Sequence, residues 1–154
     1  MKNSALACIT ALLLGVSGGI AAAQDQMMGD MPKIELPAAC AKSSGEMHSQ
    51  MQMGGQQMME QMQGMGGQMN EASKGYMKAM MAMHTPMMQG AMAQDPDVAF
   101  NCAMIAHHLG AIEMAKVELT QGKDEESKKM AQMTIDQQGK EVEQMTKWLE
   151  EHGK

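Results

Sequence analysis

Arginine is absent from the 154-residue sequence, and Phe, Tyr and Trp occur once each. All 12 basic residues are lysines, set against 18 Asp and Glu for a net charge of −6, so the basic stripe that holds nucleic-acid phosphates is missing. Nucleic acid is therefore not an expected partner. The near-absence of aromatics removes the side chains that usually dominate core energetics, and 16 glycines limit the ordered portion further. A small core in part of the chain is expected. No window alternates β-branched residues over the length of a strand, which leaves a sheet without candidates. Beyond residue 23 no apolar run approaches the roughly 20 residues of a membrane span. There is no Glu-x-x-His pair of the di-iron kind and no Gly-x-Ser-x-Gly elbow, so an enzyme is not expected.

What the chain has instead is methionine, 24 of them. Lys2, the apolar stretch from Ala5 to Ile20 and then Ala21, Ala22 and Ala23 form the pattern of a secretory signal with an A-x-A cleavage site. The expected organisation is a signal peptide over 1–23, a Met/Gly/Gln-rich low-complexity arm over 24–70 and a helical domain over 71–152, in a protein exported to the periplasm without stable membrane insertion. Cys8 leaves with the signal, and Cys40 and Cys102 remain in an oxidising compartment. A bridge between them is the default reading, worth roughly 4 kcal/mol in the chain-entropy model. Two copper-ligating thiolates are the alternative.

In the arm, Met47, Met51, Met58, Met62, Met65 and Met69 recur at helical steps, and the stripe continues through Ser73, Tyr76, Met80, Met83 and Met87. Gly54, Gly55, Gly64, Gly66 and Gly67 interrupt it, each costing a helix up to about 1 kcal/mol relative to Ala. A frayed arm that becomes a firm helix near Asn70 and runs to about Met92 is expected. Asp95-Pro96-Asp97 supplies an N-cap and a first-turn proline for a second helix. Its apolar line is Phe100, Met104, His107 or His108, Ala111, Met114 or Ala115, and Glu118, with Gly122 as the stop. A third helix from near Asp124 has acidic residues in its first turn. It carries Ala131, Ile135, Gln138, Val142, Met145 and Leu149, a core seam with one polar member. Short connections make neighbours antiparallel. The fold class is all-α, an antiparallel up-and-down bundle of three firm helices with the arm as candidate fourth.

Thioether and imidazole share helix faces in the pairs Met80 with His84, His84 with Met87 or Met88, and Met104 with His107 or His108. Met114 lies two turns beyond His107. This donor pair suits a soft monovalent ion, copper(I), whereas zinc favours thiolate or carboxylate with imidazole and calcium favours oxygen. Thioether does not titrate near neutral pH, so only His protonation weakens such a site. The competing reading is packing, because Met adapts to irregular cores and a Met stripe at helical spacing is more often core than site. In the arm, where there is little core to fill, packing explains less. For His107-His108 it gives one core histidine and one solvated neighbour.

Two further runs carry a resemblance. Phe100-x-x-x-Met104-Ile105-x-His107-His108-x-x-Ala111-Ile112-x-Met114-Ala115, followed by Gln138-x-x-Glu141-Val142-x-x-Met145-x-x-Trp148-Leu149, resembles the periplasmic copper-binding family around cyanobacterial CopM. That family sits within a wider bacterial domain-of-unknown-function family of ferritin-like helical bundles. The likeness covers Tyr76 to Glu151, and the run Met80-x-x-Met83-His84-x-x-Met87 resembles the preceding helix. It implies a four-helix bundle that binds copper(I), and often silver(I), in copper tolerance. The ligands it implies are Met80, Met83, His84 and Met87 on one helix and Met104, His107, His108 and Met114 on the next. Met130, Met133 and Met145 are secondary candidates, as is Met88 from its pairing with His84. Members of the family commonly carry Met directly after the Phe, where this chain has Asn101 and then Cys102.

The leading expectation is thus an exported copper(I)-binding protein that sequesters the ion or exchanges it with a periplasmic donor or acceptor protein. The alternative is a chaperone-like interaction module using adaptable Met surface. A third is an oxidant sink in which exposed Met cycles through its sulfoxide.

Overall fold

The structure, a computed structural model, describes residues 31–41 and 69–153. The expected signal peptide and the arm methionines from Met47 to Met65 lie outside the described residues. Four helices are present: α1 (Ala38–Ala41), α2 (Glu71–Ala91), α3 (Pro96–Gln121) and α4 (Glu125–His152). Among the described residues there is no strand, and the class is all-α.

Each long helix begins where a side chain satisfies its first free N–H groups. Asn70 Oδ1 accepts from Ser73 N at 2.8 Å. Asp95 accepts from Asp97 N and Val98 N, with Pro96 in the first turn needing no partner. Asp124 accepts from Ser127 N at 2.7 Å, and that bond holds its carboxyl below the usual aspartate range. Inside α2, Pro86 has no N–H to offer the Ala82 carbonyl, yet the helix continues to Ala91. Gly122 closes α3 as expected, but with φ −66° it is not there for left-handed backbone. Its N–H donates to Glu118 O at 2.9 Å, and a Cβ would collide with the Glu118 carboxylate and lie 2.5 Å from its carbonyl oxygen. Closeness, not dihedral freedom, selects glycine.

Helices α2 and α4 each pack along α3, and α1 packs on α2 and α3. The α2–α3 pairing is antiparallel: Gly75 faces Val117, Met83 faces Gly110, and Gly90 faces Cys102 and Ala103. A Cβ on Gly90 would fall 2.6 Å from the α3 backbone at Cys102 and Ala103, so this crossing is too tight for any side chain. At the other end Tyr76 Oη donates to Glu118 Oε2 at 2.7 Å. This bond, with some burial, raises the phenol above the ordinary tyrosine value. Because the folded value is the higher one, the tie is complete below about pH 10 and is lost as pH rises through the raised value.

The expected bridge between Cys40 and Cys102 is present, with Cα atoms 5.7 Å apart. Both cysteines are fully buried and form the core with Ile105 and Leu149. Leu36, Ala39, Val98, Leu109, Val142, Met145 and Trp148 pack around them. Burial of Ile105 and Leu149 contributes roughly 1.5–3 kcal/mol each, a modest sum that makes the bridge a large part of the stability.

The α4 seam has the expected phase, with Ala131 and Leu149 buried and Ile135, Gln138, Val142 and Met145 half-buried. The α3 line holds through its His108 and Ala115 alternatives, both buried, with Met104, Ala111 and Glu118 half-buried, and departs at Phe100 and the His107 alternative. Phe100 is 62% exposed and His107 is exposed, while the buried residues are Cys102, Ile105, Ala106, His108, Gly110 and Ala115. Helix α3 is apolar around most of its circumference, so period alone leaves its rotation undetermined. The bridge at Cys102 and the glycine contact at Gly110 turn the line through Phe100 and His107 outward.

Two glycines in helices give opposite expectations. Gly139 has open space where a Cβ would stand, so Gly139→Ala raises stability by up to about 1 kcal/mol. Gly90→Ala lowers the melting temperature, since its Cβ meets backbone; thermal denaturation of both variants checks the pair. Replacing both bridged cysteines by Ala lowers stability by roughly 2–5 kcal/mol, read by chemical denaturation. Alkylation of the unreduced protein should detect no thiol at Cys40 or Cys102.

Candidate metal centre

Adjacent histidines on α3 have different surroundings, because successive helical positions differ by about 100°. His107 is exposed and His108 is only 8% exposed. Their rings lie 5.9 Å apart and edge-on. His108 turns to α4, where its Nε2 meets Glu141 Oε2 at 2.6 Å. The other Glu141 oxygen accepts from Gln137 Nε2 at 3.2 Å. An ionised carboxylate only accepts, so in the neutral imidazole Nε2 carries the hydrogen and Nδ1 carries a lone pair. That Nδ1 is buried with no hydrogen-bond partner. Gln138 Oε1, one turn before Glu141 along α4, is also buried and unpartnered. An unmet buried acceptor costs on the order of 1–3 kcal/mol, so two of them in one seam are a standing penalty.

The expected ligands fall into separate groups. On the α2–α3 side, Met83 lies over Gly110: its Cβ is 2.6 Å from where a glycine Cβ would stand, and its sulfur contacts the same point. Gly110 sits one turn after His107 and one turn before Met114, so the Met83 thioether is laid beside the line bearing both. Met87 is half-buried one turn further along α2, Met88 is half-buried beside it, and Met80 (38% exposed) and His84 are exposed. Met104 and Met114 are half-buried on α3. On α4, Met130 and Met133 are each 52% exposed, and Met145 packs against the bridged core. Among the described residues, no three of His, Cys, Asp and Glu gather into a metal-holding group.

Glu141 is not among the expected ligands, and Gln138 enters the sequence reading as the polar member of a seam and, with Glu141, in the run that carries the resemblance. Both lie on the same stripe of α4 as Val142 and Met145. A Gln-x-x-Glu pair embedded in an apolar seam is a signal for a buried polar partner on the facing helix, but sequence spacing does not name His108, 33 residues away. His152 stacks on Trp148 with ring centres 4.9 Å apart, its Nδ1 2.9 Å from the Trp148 carbonyl oxygen.

Replacing Gln138 by Leu removes an unpaired oxygen at similar volume. It should stabilise the metal-free protein by on the order of 1 kcal/mol in thermal denaturation. A loss of stability would mean that the amide has a partner.

No helix among the described residues is long and apolar enough to cross a membrane. No curated protein matches the chain. The family model described as Domain of unknown function (DUF305) matches residues 13–149. With that match spanning most of its length, the chain belongs to the DUF305 family.

Proposed function

We propose that this protein is an exported, periplasmic copper(I)-binding protein, not an enzyme, that also takes silver(I) and sequesters the ion or exchanges it with a donor or acceptor protein in copper tolerance. The observation that carries the reading is that none of the buried residues among those described is a methionine: the core is Cys40, Cys102, Ile105 and Leu149, with small residues beside them. Filling the buried core, the ordinary reason for a Met stripe, therefore does not by itself account for Met80, Met83, Met87, Met104 and Met114. These thioethers share their helices with His84, His107 and His108; Met80 is exposed and the other four are half-buried. Soft neutral donors reachable from solvent are what a monovalent soft cation requires. The unpartnered Nδ1 of His108 fits a ligand atom better than a structural one. The likeness to CopM-type copper-binding proteins, carried by the Met104-Ile105-x-His107-His108 run, supports the same reading.

One observation favours a second reading. Phe100, Met92, Met130 and Met133 are all exposed, and such surface suits a module that holds other protein chains. Suppression of aggregation by metal-free protein would favour it.

The test is copper(I) titration against a strong competing chelator, with ascorbate as reductant and mass spectrometry to count ions. The expected result is retention of copper(I), with His84→Ala, His107→Ala and His108→Ala combined removing the tightest site and leaving weaker Met-only binding. Folded protein that retains neither copper(I) nor silver(I) overturns the proposal.

A further inference from the structure

The Gln138-x-x-Glu141 pair of α4 has no role in a site built from α2 and α3 alone. Glu141 reaches across to His108 Nε2 at 2.6 Å, so the imidazole is gripped from one side. Its other nitrogen is buried without a partner, and the other unpartnered buried side-chain atom among the described residues is Gln138 Oε1, one turn away in the same seam. Both atoms present lone pairs. Neither can serve the other, and what both lack is a donor or a cation. The register set by His108 and Glu141 places Met104, one turn before His108, opposite Met145, one turn after Glu141. Both thioethers therefore lie together, one turn from the pair on the side away from Gln138.

Resting on the copper(I) reading above, we infer that His108 binds its soft monovalent cation in the α3–α4 seam through Nδ1 and that Glu141 is its positioning residue. Glu141 keeps the hydrogen on Nε2 and so keeps the lone pair on Nδ1. This is the arrangement in which a carboxylate orients a metal-bound histidine from behind. The carboxylate also supplies one negative charge against one positive charge. A divalent ion in the same seam would leave a charge uncompensated, which burial penalises. The Gln138 amide oxygen adds negative potential without adding a soft ligand, and Met104 and Met145 supply the thioethers. Glu141 is 40% exposed, so the seam meets water on the Glu141 side.

The experiment uses the full mature chain with ¹⁵N-labelled histidine and silver(I) nitrate as a diamagnetic probe, following the ring nitrogens by NMR while silver(I) affinity is measured by competition. The expected result is a shift and silver coupling at Nδ1 of His108, with Nε2 remaining protonated. In Glu141→Gln, affinity falls about 10- to 100-fold, and the metal distributes over both ring nitrogens. A merely structural Glu141 would alter the melting temperature but not which nitrogen carries the metal. If Glu141→Gln does not fold, the wild-type spectrum decides alone. Silver bound with His108 unmoved, or bound through Nε2, overturns the seam position and leaves the copper(I) reading standing. No silver bound overturns both.

Discussion

The Cys40–Cys102 bridge is the constraint on which the rest of this structure depends. With one Phe, one Tyr and one Trp in the chain, little else is available to build a core, and the bridge stands in for it: its two sulfurs are buried against Ile105 and Leu149. It fixes more than stability. By holding Cys102 inward it sets the rotation of α3 about its own axis. Ile105, one turn on, then faces α4, and His108, one further turn on, follows it to Glu141. His107 is left outward by the same rotation, so two neighbouring imidazoles acquire different environments from a covalent bond several residues away.

The methionines can be read against this small core. Among the described residues no methionine is in the buried set, and those on the long helices are half-buried or exposed. Flexible thioethers in such positions lose rotamer freedom when they close on an ion. Those beside a fixed backbone lose less, because the helix has already set their origin. Met83 is the clearest case, since the missing side chain of Gly110 gives its sulfur a defined resting place on α3. The exposed Met130 and Met133 have no such seat.

Much of the fold is legible in the sequence because its signals are local. Asn70, Asp95 and Asp124 mark the helix starts through bonds spanning two or three residues. The α4 seam reads correctly because polar residues cover its other faces. The α3 line leaves open His107 or His108 and Met114 or Ala115 and misplaces Phe100, because α3 offers apolar residues in nearly every direction and only its partners choose among them. The candidate site divides in the same way. Met and His spacing along one helix is visible in the chain, whereas the Glu141 contact to His108 and the orphaned oxygen of Gln138 arise only when two distant segments meet. The bridge is readable from the cysteine count and the expected compartment, though its role in orienting α3 is not.

Trp148 lies against the bridged core and stacks on His152 at the end of α4, and it is the sole tryptophan. A disulfide can accept an electron from an excited indole, so emission from Trp148 is expected to brighten when the bridge is reduced or the end of the bundle opens. Glu141 is seven residues back along the same helix, about 10 Å at 1.5 Å per residue. Met145, one of the proposed thioether ligands, is only three residues back, about 4.5 Å, so the native fluorophore sits beside both the covalent clasp and the proposed ion.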